Sequence, residues 1–392
     1  MTNEGVWPST DLYFGPWYRR SPFFEATQRA GCKAYDVYNH MLLPGYYGDP
    51  SEEYRAMTTD VVVWDVAVEQ TVEISGPDAD RLIDRLTCRD LTKCAVKQGK
   101  YMIVTAPDGG IVNDPVLLHV GENRWWMQLA DSDAGLYALG VATEGGFDAE
   151  VTYPHAYPMQ VQGPKSGKTL EKLVGPALYD LKYYWCDFFE IKGIPVLISR
   201  TGFTALPGFE VDLLDDTNGT VLWDAIFEAG EEFNIRAAAP NMARRVEAGI
   251  MNYGSDMTLA NNPFEIMGFE RLVEEQPQDY IGKEALGRIR REGVKRRLVG
   301  IEIEGKQIEA DPGWFWPAFK DGTEVGKVTD AVWSPRLEKN IGYVWVPVEL
   351  SDPGNRLDIE SEHGARTGVT AAIPFVDPKK QVPAAPIAAP TS

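Results

Sequence analysis

Apolar and polar positions alternate in short blocks along most of the chain, and the period of alternation switches repeatedly between two and 3.6. The run "VVVWDVAVEQTVEIS" (61–75) is strand-like, and "GPDADRLIDRLT" behind it has helical spacing with Asp78 near its start. Strands are predicted at 100–105, 111–120 and 124–130, with "PDGG" and "GEN" as hairpin turns. "DSDAGLYALGVAT" then predicts a helix capped by Asp131 or Ser132. The same succession returns between 150 and 235: "YPMQVQG" as a strand, a helix at 165–173, strands at 188–200 and 208–214, and a helix at 218–229. Two related α+β units are therefore expected. Residues 1–55 read as aromatic and irregular, because "YDVYNHMLLPGYYGDP" holds too much Tyr, Pro and Gly for a long helix. From 297 to 375 the chain is β-rich with frequent Gly and Pro, as a small barrel is, and "PAAPIAAPTS" closes it as a low-complexity tail expected to be disordered.

Bulk properties narrow the class. A chain of 392 residues suggests two or three domains, and 44% hydrophobic with 24% charged residues is a soluble, globular composition. No run approaches the roughly 20 apolar residues of a membrane span, and "MTNEGVWPST" lacks the basic start and apolar core of an export signal. A net charge of -20 argues against nucleic acid as a partner. The one basic cluster, "RIRREGVKRR" (288–297), reads as a solvated helix end and connector. Four cysteines without CxxC spacing read as reduced cytosolic thiols, so a cytoplasmic location is expected. Four scattered histidines form no metal-ligand cluster, and no metal site is expected.

Several chemistries have no signature here: no GxGxxG opens a helix after a strand, no GxxxxGK[ST] is present, and no GxSxG elbow appears. Two acidic positions stand out instead. In "GGIVNDPV" (109–116), Asp114 and Pro115 interrupt an apolar run. Both are poor strand residues, so Asp114 is either a solvated kink at a sheet edge or a carboxylate aimed into a pocket. In "TGFTALPGFEVDL", Glu210 stands alone between Phe209 and Val211, and must face solvent or be satisfied inside a pocket.

"GGIVNDPV", "RTGFTALPGFEV", "RRVEAGIMNYGSD", "DYIGKEAL", "RRLVGIEIEG" and "VGKVTDAVWSPRLEKNIGYV" occur in that order. Together they resemble the T-protein of the glycine cleavage system, the tetrahydrofolate-dependent aminomethyltransferase, over roughly residues 25–375. "YNHMLLP", "WDVAV", "RWWMQLADSD", "VQGPKS" and "YGSDMTLANNPFE" are closer to the dimethylsulfoniopropionate demethylase branch of that family. The resemblance implies an α+β, three-lobed cloverleaf. Residues 1–295 would form a folate-binding catalytic region of two α+β lobes, residues 296–378 a C-terminal β-barrel, and residues 379–392 a disordered tail.

It also implies roles. Asp114 matches the family carboxylate beside the reactive folate nitrogens, and Glu210 matches the glutamate that hydrogen-bonds the pterin ring. Tyr101 and Phe203 match aromatic positions lining the folate site, and Gln128 matches a polar contact. A pterin edge of ring N–H and amino donors suits a carboxylate acceptor, and its flat faces suit aromatic walls. Tetrahydrofolate is thus the expected cofactor. Tyr38, His40, Tyr184 and Trp185 are candidates for a box around the methyl donor, although each could equally be a core or surface residue.

Departures from the family refine this expectation. The family's Arg–Asp pair becomes Asn241–Met242 here, and the charge of -20 would repel an acidic lipoyl carrier protein, so that partner is not expected. No cysteine stands in "DYIGKEAL", where iron–sulfur assembly paralogues carry one, and no flavin domain is present. Ala205-Leu206-Pro207 and Trp185 make the pocket look more apolar than that of the sulfoniopropionate branch. The expected reaction is methyl transfer from a small donor to N5 of tetrahydrofolate, with an onium donor favoured because it leaves as a neutral thioether or amine and needs no general acid. A methoxy-aromatic O-demethylase, with His40 or a tyrosine as acid, and a non-catalytic folate-binding regulator are the alternatives. A homodimer is compatible with the sequence.

Overall fold

A computed structural model of the chain describes residues 15–309 and 312–386. Two antiparallel-rich sheets and a closed barrel organise it. The first sheet runs, in spatial order, Glu150–Thr152, Thr71–Ser75, Arg124–Gln128, Val116–Gly121, Gly99–Tyr101. Helices Ala79–Leu86 and Ala134–Gly145 cover one face, burying Val72, Ile74, Leu82, Ile83, Trp125 and Met127. The second sheet runs Cys186–Ile191, Ile194–Ser199, Gly208–Leu213, Tyr157–Gln162, Val62–Asp65, Arg236–Ala237. Helices Ser166–Val174 and Gly219–Gly230 pack on it over Val161, Ile198, Phe209, Val211 and Leu213. Strands Arg296–Ile303, Lys339–Pro347, Thr323–Ser334, Trp316–Lys320, Arg356–Ser361 and Gly364–Ala371 close the barrel in that order. The α+β class, the repeated unit and the barrel agree with the sequence pattern.

The run 61–75 corrects that pattern. It is not one strand but two, belonging to different sheets. Asp65 makes the break: its carboxylate accepts from Ala67 N at 3.2 Å and from Ser21 Oγ at 2.5 Å, and Glu69 N closes a turn onto Val66 O at 2.9 Å. The chain therefore crosses between the lobes at 66–70, which sets Glu69 in the seam. The helix at 134–145 starts at Asp133 without a side-chain cap. Asp131 instead accepts from Asn39 N at 2.8 Å, and Ser132 Oγ donates to Val112 O at 2.8 Å, so both expected caps serve tertiary contacts.

The N-terminal region is more regular than its composition suggests, with helices Phe24–Arg29 and Pro50–Thr59 around a hairpin of Ala34–Tyr38 and Met41–Tyr46. Of the tail expected to be disordered, residues 379–386 are described and the rest lies outside the described residues. Helix Gln381–Ala384 is held by the Arg200 guanidinium, which donates to Pro383 O at 2.9 Å and to Ala385 O. A buried guanidinium needs acceptors, and this stretch of tail backbone supplies them.

The second lobe and the barrel are tied at helix Met242–Glu247, where Arg244 and Arg245 are almost fully buried. Arg244 donates to Glu247 at 2.6 Å and to the carbonyls of Thr204 and Ala205 at 2.7 and 3.2 Å. Glu247 also accepts from Tyr54 at 2.9 Å and from Ser334 of the barrel at 2.5 Å. Arg245 pairs with Asp256 at 2.7 Å and with Asp330 of the barrel. Removing one partner of such a pair strands a buried charge, which costs about 3–5 kcal/mol, whereas an exposed pair is worth under about 1 kcal/mol. Glu247→Ala is thus expected to lower unfolding free energy by about 3–5 kcal/mol in denaturant titration. Lys172→Ala, which breaks the exposed pair with Glu232, should fall within about 1 kcal/mol of wild type. Equal effects would remove the knot from its proposed role.

Candidate active site

Strand Gly208–Leu213 is buried along its whole length. Phe209, Val211 and Leu213 turn to the helices, so the period of two sends Glu210 and Asp212 to the opposite face, toward the first sheet. Gln160 is directly opposite Glu210 on the neighbouring strand and donates to it at 2.7 Å. Thr201 Oγ1 donates to the other Glu210 oxygen. From the first sheet, Gln128 Nε2 donates across the seam to Asp212 at 2.8 Å. The sheets pack apolar side chains at one part of the seam, where Leu118, Val120 and Trp126 meet Cys186 and Leu197, and polar ones at Gln128, Glu210 and Asp212. At the seam lies a cavity of about 710 Å³, walled also by residues 249–253, 267–274 and the segment after the barrel.

Of the two readings of Asp114, the structure has the carboxylate facing the cavity and not a solvated kink. Asn113 anchors the kink: its Nδ2 donates to Ala130 O at 2.9 Å and to Ser132 Oγ at 2.8 Å, and its Oδ1 accepts from Ala130 N at 3.1 Å. Pro115 has no N–H to lose, and its carbonyl accepts from Met102 N at 3.1 Å. Asp114, 9% exposed, then lines the cavity. Its Oδ2 accepts from the Tyr101 hydroxyl at 2.7 Å, while its buried Oδ1 has no partner. Burial pushes this carboxyl up to about 7, with the Tyr101 hydrogen bond pulling the other way. Gln128 leaves its Oε1 unpartnered in the same space.

Asp114, Tyr101, Gln128, Phe203, Glu210, Tyr38 and Tyr184 all line the cavity. His40 and Trp185 do not. His40 is exposed at the tip of the 34–46 hairpin, where Asn39 and His40 have φ of 45° and 61°, a two-residue turn. Asn39 faces inward and donates to Val68 O and Ala130 O at 3.0 and 3.1 Å. That anchorage puts Tyr38 in the cavity and turns the imidazole out. Trp185 packs under Lys182, whose ammonium is 5.6 Å from its ring centroid, and Tyr183 takes the place expected for it at the wall.

Glu69 also lines the cavity, and sequence reasoning passed over it. The signal was there: it interrupts "VAVEQTV" as Glu210 interrupts its own strand. Arg271, Lys379 and Lys380 are further lining residues without a sequence signal, the lysines arriving on the tail. Lys380 Nζ donates to Ala248 O at 3.0 Å, and burial, with Arg271 and Arg244 nearby, pulls its ammonium down to about 8.

Two α+β lobes and a C-terminal barrel thus accompany a cavity lined by carboxyl and tyrosine side chains. Profiles described as the GCVT N-terminal domain and the glycine cleavage T-protein C-terminal barrel domain match residues 23–276 and 296–377. The chain belongs to the glycine cleavage T-protein family. It is 35% identical to dimethylsulfoniopropionate demethylase DmdA of Ruegeria pomeroyi, covering 89% of this chain and 94% of that one. It is 30% identical to an aminomethyltransferase of Bacillus subtilis, covering 87% and 94%. The crystal structure of the glycine cleavage system aminomethyltransferase T from Bartonella henselae shares the fold, with a TM-score of 0.80 at 20% identity over 92% of this chain and 98% of that one. Among the described residues no helix is long and apolar enough to cross a membrane.

The raised carboxyl of Asp114 has a stability consequence. Folding takes up a proton between the unfolded value of 3.8 and about 7, so the protein loses stability as pH rises through that window. Asp114→Asn stays neutral. It should match wild type near pH 4 and exceed it at pH 8 by on the order of 3–4 kcal/mol. A difference that stays flat from pH 4 to pH 8 in chemical denaturation would show that Asp114 does not titrate in this range.

Proposed function

We propose that this protein transfers a methyl group from a small onium donor, of the dimethylsulfoniopropionate type, to N5 of tetrahydrofolate. The observation that carries the reading is the paired Asp114 and Tyr101 at the wall of a cavity that also holds Glu210 and unpartnered acceptors. The 35% identity to dimethylsulfoniopropionate demethylase supports it.

The residues present fit a folate. A volume of about 710 Å³ suits a ligand of that size. Glu210 accepts from Gln160, Thr201 and Ser199, and its two oxygens together have capacity left for an N–H of the ligand. Phe203, Tyr101 and Tyr184 supply aromatic walls. When bound, tetrahydrofolate supplies the nucleophilic nitrogen that receives the methyl group. Tyr38 and Tyr184 would hold the methyl donor in line, so that proximity and orientation do most of the catalysis. Asp114, with its carboxyl near 7, is suited to take the proton released after transfer.

The four cysteines are free thiols, and the reading places the enzyme in the reducing cytoplasm, acting on small molecules rather than on a lipoyl carrier protein. The O-demethylase alternative loses its histidine, because His40 points away from the cavity.

Incubation with tetrahydrofolate and a panel of methyl donors should yield 5-methyltetrahydrofolate by mass spectrometry, and tetrahydrofolate alone should raise the melting temperature. Glu210→Ala should abolish that thermal shift, and Asp114→Asn should keep it while slowing turnover by about 10²-fold. His40→Ala should turn over at the wild-type rate. A wild type that forms no 5-methyltetrahydrofolate from any donor would defeat the reading.

A further inference from the structure

Four carboxyl groups converge on one end of the cavity without a counter-charge. Asp114, Glu69 and Glu210 line it, and Asp212 lies directly behind Gln128. Among the described residues no hydrogen bond or ion pair engages the Glu69 carboxylate. The cations that share the cavity are committed elsewhere or stand apart. Arg89 pairs with Glu274 at 3.2 Å, Lys100 donates to Asp90 O at 2.8 Å and Lys380 to Ala248 O. Arg271 and Lys379 make no ion pair with any of the four. Burial, then the charges of Glu210, Asp212 and Asp114, hold the Glu69 carboxyl well above its ordinary range. Asp114 Oδ1 and Gln128 Oε1 are independent signs of an absent ligand, since both residues are at least nine-tenths buried and both atoms lack partners.

A neutral pterin can satisfy Glu210 through its N–H donors, but it brings no positive charge. One carboxylate pair, Glu69 and Asp114, is left facing the reacting end. We infer that Glu69 is the specificity-determining counter-charge of this site, selecting a methyl donor that is a permanent cation over one that is neutral. The inference rests on the methyl-transfer reading for its chemistry, although not for its geometry.

The charge balance over the reaction agrees with that assignment. Transfer breaks the S–C (or N–C) bond of the donor, whose electron pair stays on the heteroatom. A C–N bond forms to the accepting amine, which releases a proton. One positive charge enters as the onium and one remains as H⁺. The carboxylates that held the onium are then positioned to hold the proton, so the transfer leaves the charge of the cavity unchanged. A neutral ether would present no such charge on entry. Tyr38 and Tyr184 add aromatic faces, which attract a desolvated cation further.

Calorimetric titration of the full chain tests this without requiring turnover. The probes are dimethylsulfoniopropionate and 4-methylpentanoate, in which carbon replaces the sulfonium at nearly the same shape. Wild type should bind the sulfonium at least about tenfold more tightly. Glu69→Gln should bring the ratio close to one, with tetrahydrofolate affinity unchanged and KM for the onium raised more than kcat is lowered. Glu69→Asp, which keeps the charge, should retain a preference. Glu69→Gln is nearly isosteric and removes a carboxyl that no partner satisfies, so it should melt no lower than wild type. A wild type that does not discriminate between the probes, or a Glu69→Gln variant that still does, overturns the inference. Discrimination lost with Glu69 in a protein that never forms 5-methyltetrahydrofolate would support the cation site and remove the methyl-transfer reading instead. Methoxy-aromatic turnover with no onium preference would overturn the inference and the choice of an onium donor, while keeping transfer to tetrahydrofolate.

Discussion

The cavity depends on the ionic knot of helix Met242–Glu247. Arg244 holds the Thr204–Ala205 loop by its carbonyls, and Glu247 joins that arginine to Tyr54 and to Ser334 of the barrel. Arg245 reaches Asp256 and Asp330. Buried ion pairs add little net stability over apolar packing, because desolvation offsets their attraction. What they contribute is geometry: a guanidinium with five donors is satisfied in few arrangements, and here the arrangement requires the second lobe and the barrel to be in place. An apolar plug at the same position would tolerate sliding of the barrel against the lobes, and the pocket wall would slide with it.

A second constraint follows from the polar inner face of the second sheet. Gln160, Gln162, Glu210 and Asp212 are each at most 3% exposed, a costly set of groups to bury. Most are held by one another: Gln160 by Glu210, Gln162 by Thr204 at 2.7 Å, Asp212 by Gln128. Tight backbone is required there as well. A Cβ on Gly202 or Gly208 would stand 2.4 or 2.3 Å from the Gln162 amide, so both positions need glycine if that amide is to stay between the strands. The remaining orphan acceptors lie where the sheets diverge, and the stability lost in burying them is recoverable only through a ligand.

How much of this was legible in the sequence varies with the physics involved. Alternation at period two revealed most strands, and the Asp114 and Glu210 anomalies were visible because acids are rare inside apolar runs. What alternation could not reveal is that residues 61–75 divide between two sheets, since Val62–Asp65 and Thr71–Ser75 have equally strand-like patterns and the break is made by Asp65 hydrogen bonds from Ser21 and Ala67. Glu69 was overlooked for that reason: on a continuous strand it would face solvent or core, not a seam. His40 and Trp185 failed because a residue's neighbourhood in sequence does not give its direction. A hairpin tip with two left-handed residues sends successive side chains to opposite sides, so Tyr38 and His40 part company within three residues. The tail carried no signal at all, because its order derives from Arg200, nearly two hundred residues away.

That tail changes the electrostatics of the whole site. A chain of net charge -20 gains, from Lys379 and Lys380 together with Arg271, three cations that line the same cavity as Asp114, Glu69 and Glu210. No ion pair joins the two sets, so they are kept apart rather than neutralised. In a water-poor cavity the effective dielectric is low, and separated charges of opposite sign create a field that orients a dipolar ligand before any hydrogen bond forms. A ligand with a cationic and an anionic end is aligned by such a field in one direction only. Burial draws Lys380 down to about 8, so its charge persists at neutral pH while costing enough in desolvation to favour an anionic partner. The apolar character of Ala205-Leu206-Pro207 is therefore offset at the cavity wall by Arg271, Lys379 and Lys380, two of them delivered from the C-terminal segment.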